Sequence, residues 1–176
     1  GPNSLVVSPD GAKVYVASPL DSSLSIIPTA ATQTSSALSG WPVHVVDTPE
    51  GPLLVQAVTF AQWIVPWTLL LDPRSLIAPS SVAPPTPRLV VINRGSATTR
   101  APGSVGFLDM GTEQALATVA VGTNSEQSAF DPELPQAIVT NLGSANISFV
   151  NTTTATAAAP LTVGIAPVAV AVALQT

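Results

Sequence analysis

Residues Gly122 to Gly164 read GTNSEQSAFDPELPQAIVTNLGSANISFVNTTTATAAAPLTVG, and the fold follows from them. Two short runs, Ala137-Ile138-Val139-Thr140 and Ile147-Ser148-Phe149-Val150, are rich in the branched and aromatic residues that suit a pleated strand. Turn formers bound them: Asp131-Pro132-Glu133-Leu134-Pro135 before the first, and Asn141 to Ala145 between the two. A further apolar pair, Ala129-Phe130, precedes the unit, and Leu161-Thr162-Val163-Gly164 closes it. The stretch therefore predicts short antiparallel strands joined by tight turns.

The rest of the chain can be laid over this unit. Pro9 falls on Pro132, Tyr15 on Ile138, Ser18 on Asn141 and Ile27 on Val150, with no gap from Ser4 to Thr29. Asn93 falls on Asn141, with six extra residues in the loop that follows. Asp109 stands thirteen residues before Gly122, and Asn151 thirteen before Gly164. Turns and strands match together, which is the mark of an internal repeat. The spacing predicts one β-repeat domain with units over 1–41, 42–83, 84–124 and 125–166, and an extra strand over 167–176. The unit at 42–83 fits least well: Leu69-Leu70-Leu71 takes the place of its third run, and prolines crowd 73–87. In the last segment Val168, Val170, Val172 and Leu174 alternate with alanines. That pattern predicts an ordered, paired strand, the first of a fifth unit.

Composition agrees with an all-β chain and narrows its partners. Of 176 residues, 46% are apolar and 9% charged, against about 25% charged in an ordinary domain, so global disorder is excluded. Eighteen prolines and eleven glycines oppose long helices. The formal charge is −5, and the five basic residues are dispersed. That argues against nucleic acid and anionic membrane surfaces, which need concentrated positive charge. Cysteine is absent, which removes disulfides and thiolate metal sites. Gly51 to Leu71 carries no charge, but Gln56, Thr59, Gln62 and Pro66 interrupt it, so strands fit it better than a membrane span.

The run Val7-Ser8-Pro9-Asp10-Gly11-Ala12-Lys13-Val14-Tyr15-Val16-Ala17-Ser18 resembles the YVTN family of β-propeller repeats. Phe130-Asp131-Pro132-Glu133 with Ile138-Val139-Thr140-Asn141 resembles it again, and Val91-Ile92-Asn93 more faintly. The resemblance implies β-propeller-like units of four short antiparallel strands; the alternative architecture is a β-sandwich. It also implies export, to an extracellular, periplasmic or cell-surface location. Seven blades of this length would need about 300 residues, so four units form an arc, a compact ring or part of an oligomeric one. A homo-oligomer, or completion by another chain segment, is the expectation. Some similar rings are lactone hydrolases or cofactor enzymes, but no catalytic motif of the family matches.

Candidate chemistry is sparse. His44 is the only histidine, and no Gly-x-Ser-x-Gly elbow accompanies it, so no hydrolysis is expected to depend on it. Neither a metal nor a cofactor is expected, and no catalytic residue is assigned. Asp10, Glu50 and Glu133 recur at equivalent turns and read as turn formers. Trp41, Trp63 and Trp67 gather in the least regular unit, and aromatic side chains stack on sugars and anchor protein interfaces. With His44 they are the candidate binding residues, for a protein or carbohydrate ligand. The expectation is a non-enzymatic binding or scaffold protein. A propeller enzyme and a structural subunit of a surface layer or fibre are the alternatives.

Overall fold

The structure is a computed structural model that describes residues 1–30, 43–48, 51–58, 65–73, 87–96, 98–131 and 133–173; over 43–48 and 51–58 it describes the backbone. The chain is all-β, in three antiparallel sheets, none closed on itself. The first sheet has the order β1-β2-β3-β5-β4, from β1 (Ser4–Val7), β2 (Lys13–Ser18), β3 (Ser23–Pro28), β4 (Val43–Thr48) and β5 (Gly51–Val58). The second runs β6-β7-β8-β9, from β6 (Pro66–Leu71), β7 (Arg88–Asn93), β8 (Ser104–Asp109) and β9 (Ala115–Ala120). The third runs β10-β11-β12-β13, from β10 (Ser125–Asp131), β11 (Gln136–Asn141), β12 (Asn146–Asn151) and β13 (Thr156–Ala157), with β14 (Leu161–Thr162) also paired to β12. The remaining regular structure among the described residues is short 3-10 turns, such as Pro19–Asp21 and Leu142–Ser144.

Most strands sit where an apolar run lies between turn formers, β10 (SEQSAFD) being an exception, but one expected grouping differs. Among the described residues, the strands of 42–83 are divided between two sheets. The β4–β5 hairpin adds to the first sheet through Leu24↔Val58 and Ile26↔Gln56, and β6 leads the second sheet through Leu69↔Val91. An apolar run marks a strand but not its neighbour; pairing decides membership.

The core lies between consecutive sheets. Neighbouring residues of β7 point to opposite faces, and both faces are buried. Leu89 and Val91 join Tyr15, Ala17, Leu24, Ile26, Leu69, Leu108 and Met110 between the first and second sheets. Val90 and Ile92 join Val105, Phe107, Val139 and Val150 between the second and third. This explains why Leu89-Val90-Val91-Ile92 is continuously apolar where a half-exposed strand would alternate. Three of the five basic residues tie the layers together. Lys13 pairs with Glu113, the Arg88 guanidinium donates to the Thr152 carbonyl, and Arg94 pairs with Glu126.

The turns are built by carboxylate and amide oxygens that accept backbone N–H bonds. Asp109 Oδ1 accepts from Gly111 and Thr112 at 2.8 and 2.9 Å, and Asn151 Oδ1 from Thr153 and Thr154, both at 2.9 Å. Asp131 Oδ1 accepts from Glu133 and Leu134, so Asp131 organises the turn that contains Glu133. Asp10 Oδ1 takes the Ser8 hydroxyl at 2.6 Å and the Ala12 N–H at 3.0 Å, and these bonds hold its carboxyl below the ordinary range.

Tyr15, the only tyrosine, has no exposed surface, and its hydroxyl donates to the Met110 carbonyl at 3.3 Å. Burial first, and the negative Glu113 second, push its phenol well above the usual value. The folded chain therefore keeps the proton while the unfolded chain releases it near pH 10. Stability from this group is complete below that value and falls above it, by up to about 1.4 kcal/mol per pH unit. Urea midpoints between pH 8 and 11 should decline past about pH 10, and Tyr15→Phe should flatten the decline. An equal slope in both proteins would refute the assignment.

The expected strand over 167–176 does not form over residues 167–173, and none of them pairs in a sheet among the described residues. Residues 167–173 carry no regular secondary structure, and Val168 is 58% exposed. The preceding first strands, β1 and β10, are already hydrogen-bonded to β2 and β11. Leu174 lies outside the described residues.

Candidate binding cleft at the junction of the second and third sheets

The first strands of the three sheets are successive neighbours, joined by side-chain bonds at one end. Asn3 Nδ2 donates to the Trp67 carbonyl at 2.8 Å, and the Leu69 N–H donates to Ser4 Oγ at 3.0 Å. Thr68 Oγ1 donates to the Glu126 carbonyl at 2.9 Å. At this end the chain enters β6 at Val65, leaves β7 at Arg94 and enters β10 from Asn124. Arg94 connects all three: its N–H donates to the Val65 carbonyl at 2.9 Å, and its carbonyl accepts from Ser125 at 3.3 Å.

A cleft of about 370 Å³ opens here, lined by Val65, Arg94, Gly95, Ser96, Thr98 and Asn124. The Arg94 guanidinium lies 4.2 Å from the Trp67 ring centroid, donates to Asn124 Oδ1 and pairs with Glu126. A cation over an indole is attracted by the negative face of the ring, so stacking and ion pairing hold this side chain in one place. Val65 has φ +58° and Asn124 φ +55°. Left-handed backbone is a genuine outlier for a β-branched residue, so the hydrogen-bonded surroundings impose the conformation of Val65. Gly95, at φ +75°, begins the loop that carries the lining hydroxyls. That loop is closed by Ser96↔Ala101 and by Thr99 N–H donating to Ser96 Oγ at 3.1 Å. With Arg94 already neutralised by Glu126, the cleft offers hydroxyl, amide and backbone groups in place of net charge.

Of the four candidate residues, Trp67 takes part in this cluster. His44 lies on β4 opposite Val55, with its side chain outside the description; Trp41 and Trp63 lie outside the described residues. Sequence reasoning missed Arg94 and the loop after it. The available signal was the six-residue excess after Asn93, which supplies Gly95, Ser96 and Thr98. Among the described residues no group of three or more His, Cys, Asp or Glu is placed to hold a metal, and no helix is long and apolar enough to cross a membrane.

No protein-family model matches the chain, and no curated protein matches it in sequence. Solved structures do share its fold. Hydrazine synthase of Kuenenia stuttgartiensis superposes with a TM-score of 0.62 at 14% identity, over 93% of this chain and 37% of that one. A functionally unknown protein from Desulfotomaculum acetoxidans superposes with a TM-score of 0.58 at 13% identity, over 97% of this chain and 45% of that one. The chain thus spans less than half of either structure. At these identities the likeness concerns the fold alone.

Proposed function

We propose that this chain is a non-enzymatic binding or scaffold protein of β-propeller type, exported to an extracellular, periplasmic or cell-surface location. The propeller reading draws on three features. Strand order within the second sheet follows the chain, each sheet stacks on the next, and β1, β6 and β10 are successive neighbours. Up-and-down sheets arranged this way are the blades of a propeller. Few charges and abundant Ser and Thr support export.

The observation that carries the binding role is the Arg94 cleft. Loops at the ends of a rigid sheet scaffold are where ligands are held, and a fixed guanidinium beside hydroxyl and amide groups suits a neutral polar ligand. Sugar hydroxyls and peptide amides present that chemistry, so glycan and peptide arrays are the direct test. Thr98 is exposed and lines the cleft, so Thr98→Trp should fill it without disturbing the core. A captured ligand should bind the variant at least about tenfold more weakly, with the melting temperature unchanged. Undiminished binding by Thr98→Trp would move the site elsewhere.

A further inference from the structure

Three turns share one device: Asp109, Asp131 and Asn151 each present Oδ1 to the backbone N–H groups two and three residues further on. The device needs one acceptor oxygen and nothing more. Aspartate supplies it twice. At Asn151 an amide stands in the same place, and its nitrogen is left over. Among the described residues Asn151 Nδ2 makes no hydrogen bond. The buried side-chain atoms without a partner there are Asn93 Oδ1 and Ser128 Oγ, so Nδ2 reaches solvent. Thr152 anchors the turn: it is 1% exposed, its N–H donates to the Pro135 carbonyl at 2.8 Å, and its carbonyl accepts from the Arg88 guanidinium. Thr153 projects from that anchor, exposed, with its hydroxyl unpartnered among the described residues.

We infer that Asn151 is an acceptor of an N-linked glycan, within Asn151-Thr152-Thr153. The co-reactant is a lipid-linked glycosyl pyrophosphate. A bond forms between Nδ2 and the anomeric carbon, the bond from that carbon to the pyrophosphate oxygen breaks, the lipid pyrophosphate leaves, and one amide proton passes to a base of the transferase. Such a transfer requires an accessible amide nitrogen and an accessible hydroxyl two residues on. The same pattern occurs at Asn146-Ile147-Ser148, and there the fold withholds it. Asn146 lies within β12 between Asn141 and Thr162, and its Oδ1 accepts from Asn141 at 2.8 Å. Ser148 is 4% exposed, and its hydroxyl accepts from Asn141 Nδ2 at 2.9 Å. The exposure of Thr153 and Thr154 does not depend on what stacks on the third sheet. The second sheet packs on a neighbour at both faces, and Gly111 and Thr112, at the same two places in its turn, are exposed as well. Asn151 pairs with Gln136, at the end of β11 away from Asn141, while Asn124 enters the sheet at the Asn141 end. A glycan on Asn151 therefore leaves the Arg94 cleft open. The inference rests on the export reading, since this transfer takes place beyond the cytoplasm, and not on the binding role.

The test expresses the whole chain behind a supplied secretion signal in a eukaryotic secretory host. All of the chain, secreted or retained, is analysed by intact mass and by peptide mapping after peptide N-glycanase, which converts a glycosylated asparagine to aspartate. One glycan, on Asn151, is expected. Asn151→Asp keeps the turn oxygen, as Asp109 does in its own turn, and Thr153→Ala keeps Asn151 and both turn bonds. Each should remove the glycan and leave the melting temperature of the enzymatically deglycosylated protein unchanged. A wild-type chain without a glycan, a glycan on Asn146, or a glycan on Asn151 that persists in Thr153→Ala overturns the inference. A glycan on Asn151 in this host, with none on the chain in its own cells, supports the acceptor site and refutes export, so the two readings fail separately.

Discussion

Asn141→Leu is expected to destabilise the fold by about 3–5 kcal/mol, the sum of two or three broken buried hydrogen bonds. Asn141 has no exposed surface, and every polar group of its side chain is used. Ser125 Oγ donates to its Oδ1 at 2.8 Å. Its Nδ2 donates to Asn146 Oδ1 at 2.8 Å and Ser148 Oγ at 2.9 Å. One side chain thereby joins the first three strands of the sheet. Leucine has nearly the same volume but leaves the buried hydroxyls of Ser125 and Ser148 without this partner, and each orphan costs about 1–3 kcal/mol. Gly122 closes the site, since a Cβ there would lie 2.6 Å from Asn141 Cβ. The melting temperature should fall by roughly 10 °C, at about 2–4 °C per kcal/mol for a chain of this size.

Asn93, the counterpart in the second sheet, provides the internal control. It is as deeply buried, but Pro66 stands opposite it where Ser125 stands opposite Asn141. Proline has no hydroxyl, and Asn93 Oδ1 has no partner; its Nδ2 donates to Ser104 Oγ at 3.1 Å. Gly106 occupies the position of Ser148. Asn93→Leu removes one hydrogen bond and one buried orphan, so its cost should be about 1 kcal/mol or less. Equal urea midpoints for the two variants would show that the node at Asn141 carries no special weight.

These nodes mark how far the sequence can be read. Branched runs between turn formers located the strands, and the overlay of Asn93 on Asn141 was legible from spacing alone. What Asn141 binds was not, because its partners come from β10 and β12 and meet it only through register. The same limit explains the unit at 42–83. Val43–Thr48, Gly51–Val58 and Pro66–Leu71 all read as strands, but nothing local says that the first two extend one sheet and the third begins another. At the cleft, Trp67 stood out as a large aromatic in an irregular region. Arg94 did not, since its role depends on Glu126 and Asn124 from the next sheet. The segment at 167–173 read as a strand from its alternation, and no strand is assigned there among the described residues. Alternation reports a preference for extended backbone, while pairing requires a partner strand in register.

Gly95→Val should both destabilise the chain and abolish the cleft, with a cost of about 3 kcal/mol or more. Two independent constraints act at this position. Its φ of +75° is left-handed, where a β-branched residue is strongly disfavoured. A Cβ there would also lie 2.4 Å from the Ala101 carbonyl oxygen and 2.6 Å from that of Pro102. These are backbone atoms, so no side-chain rotation relieves the clash; the loop must open. Opening it breaks the Ser96↔Ala101 bridge and displaces Ser96 and Thr98, which line the cleft next to Arg94. Gly95→Ala separates the two constraints in part, because it meets the same Cβ contacts without branching, and it should cost less than the valine. Urea unfolding gives the stability ranking of wild type, alanine and valine. Acrylamide quenching gives the local consequence: Trp67 is stacked under Arg94, and freeing the guanidinium should raise its accessibility in the valine variant. A Gly95→Val protein with unchanged midpoint and quenching would mean that the loop tolerates a side chain, and that the left-handed turn at Gly95 does not shape the cleft.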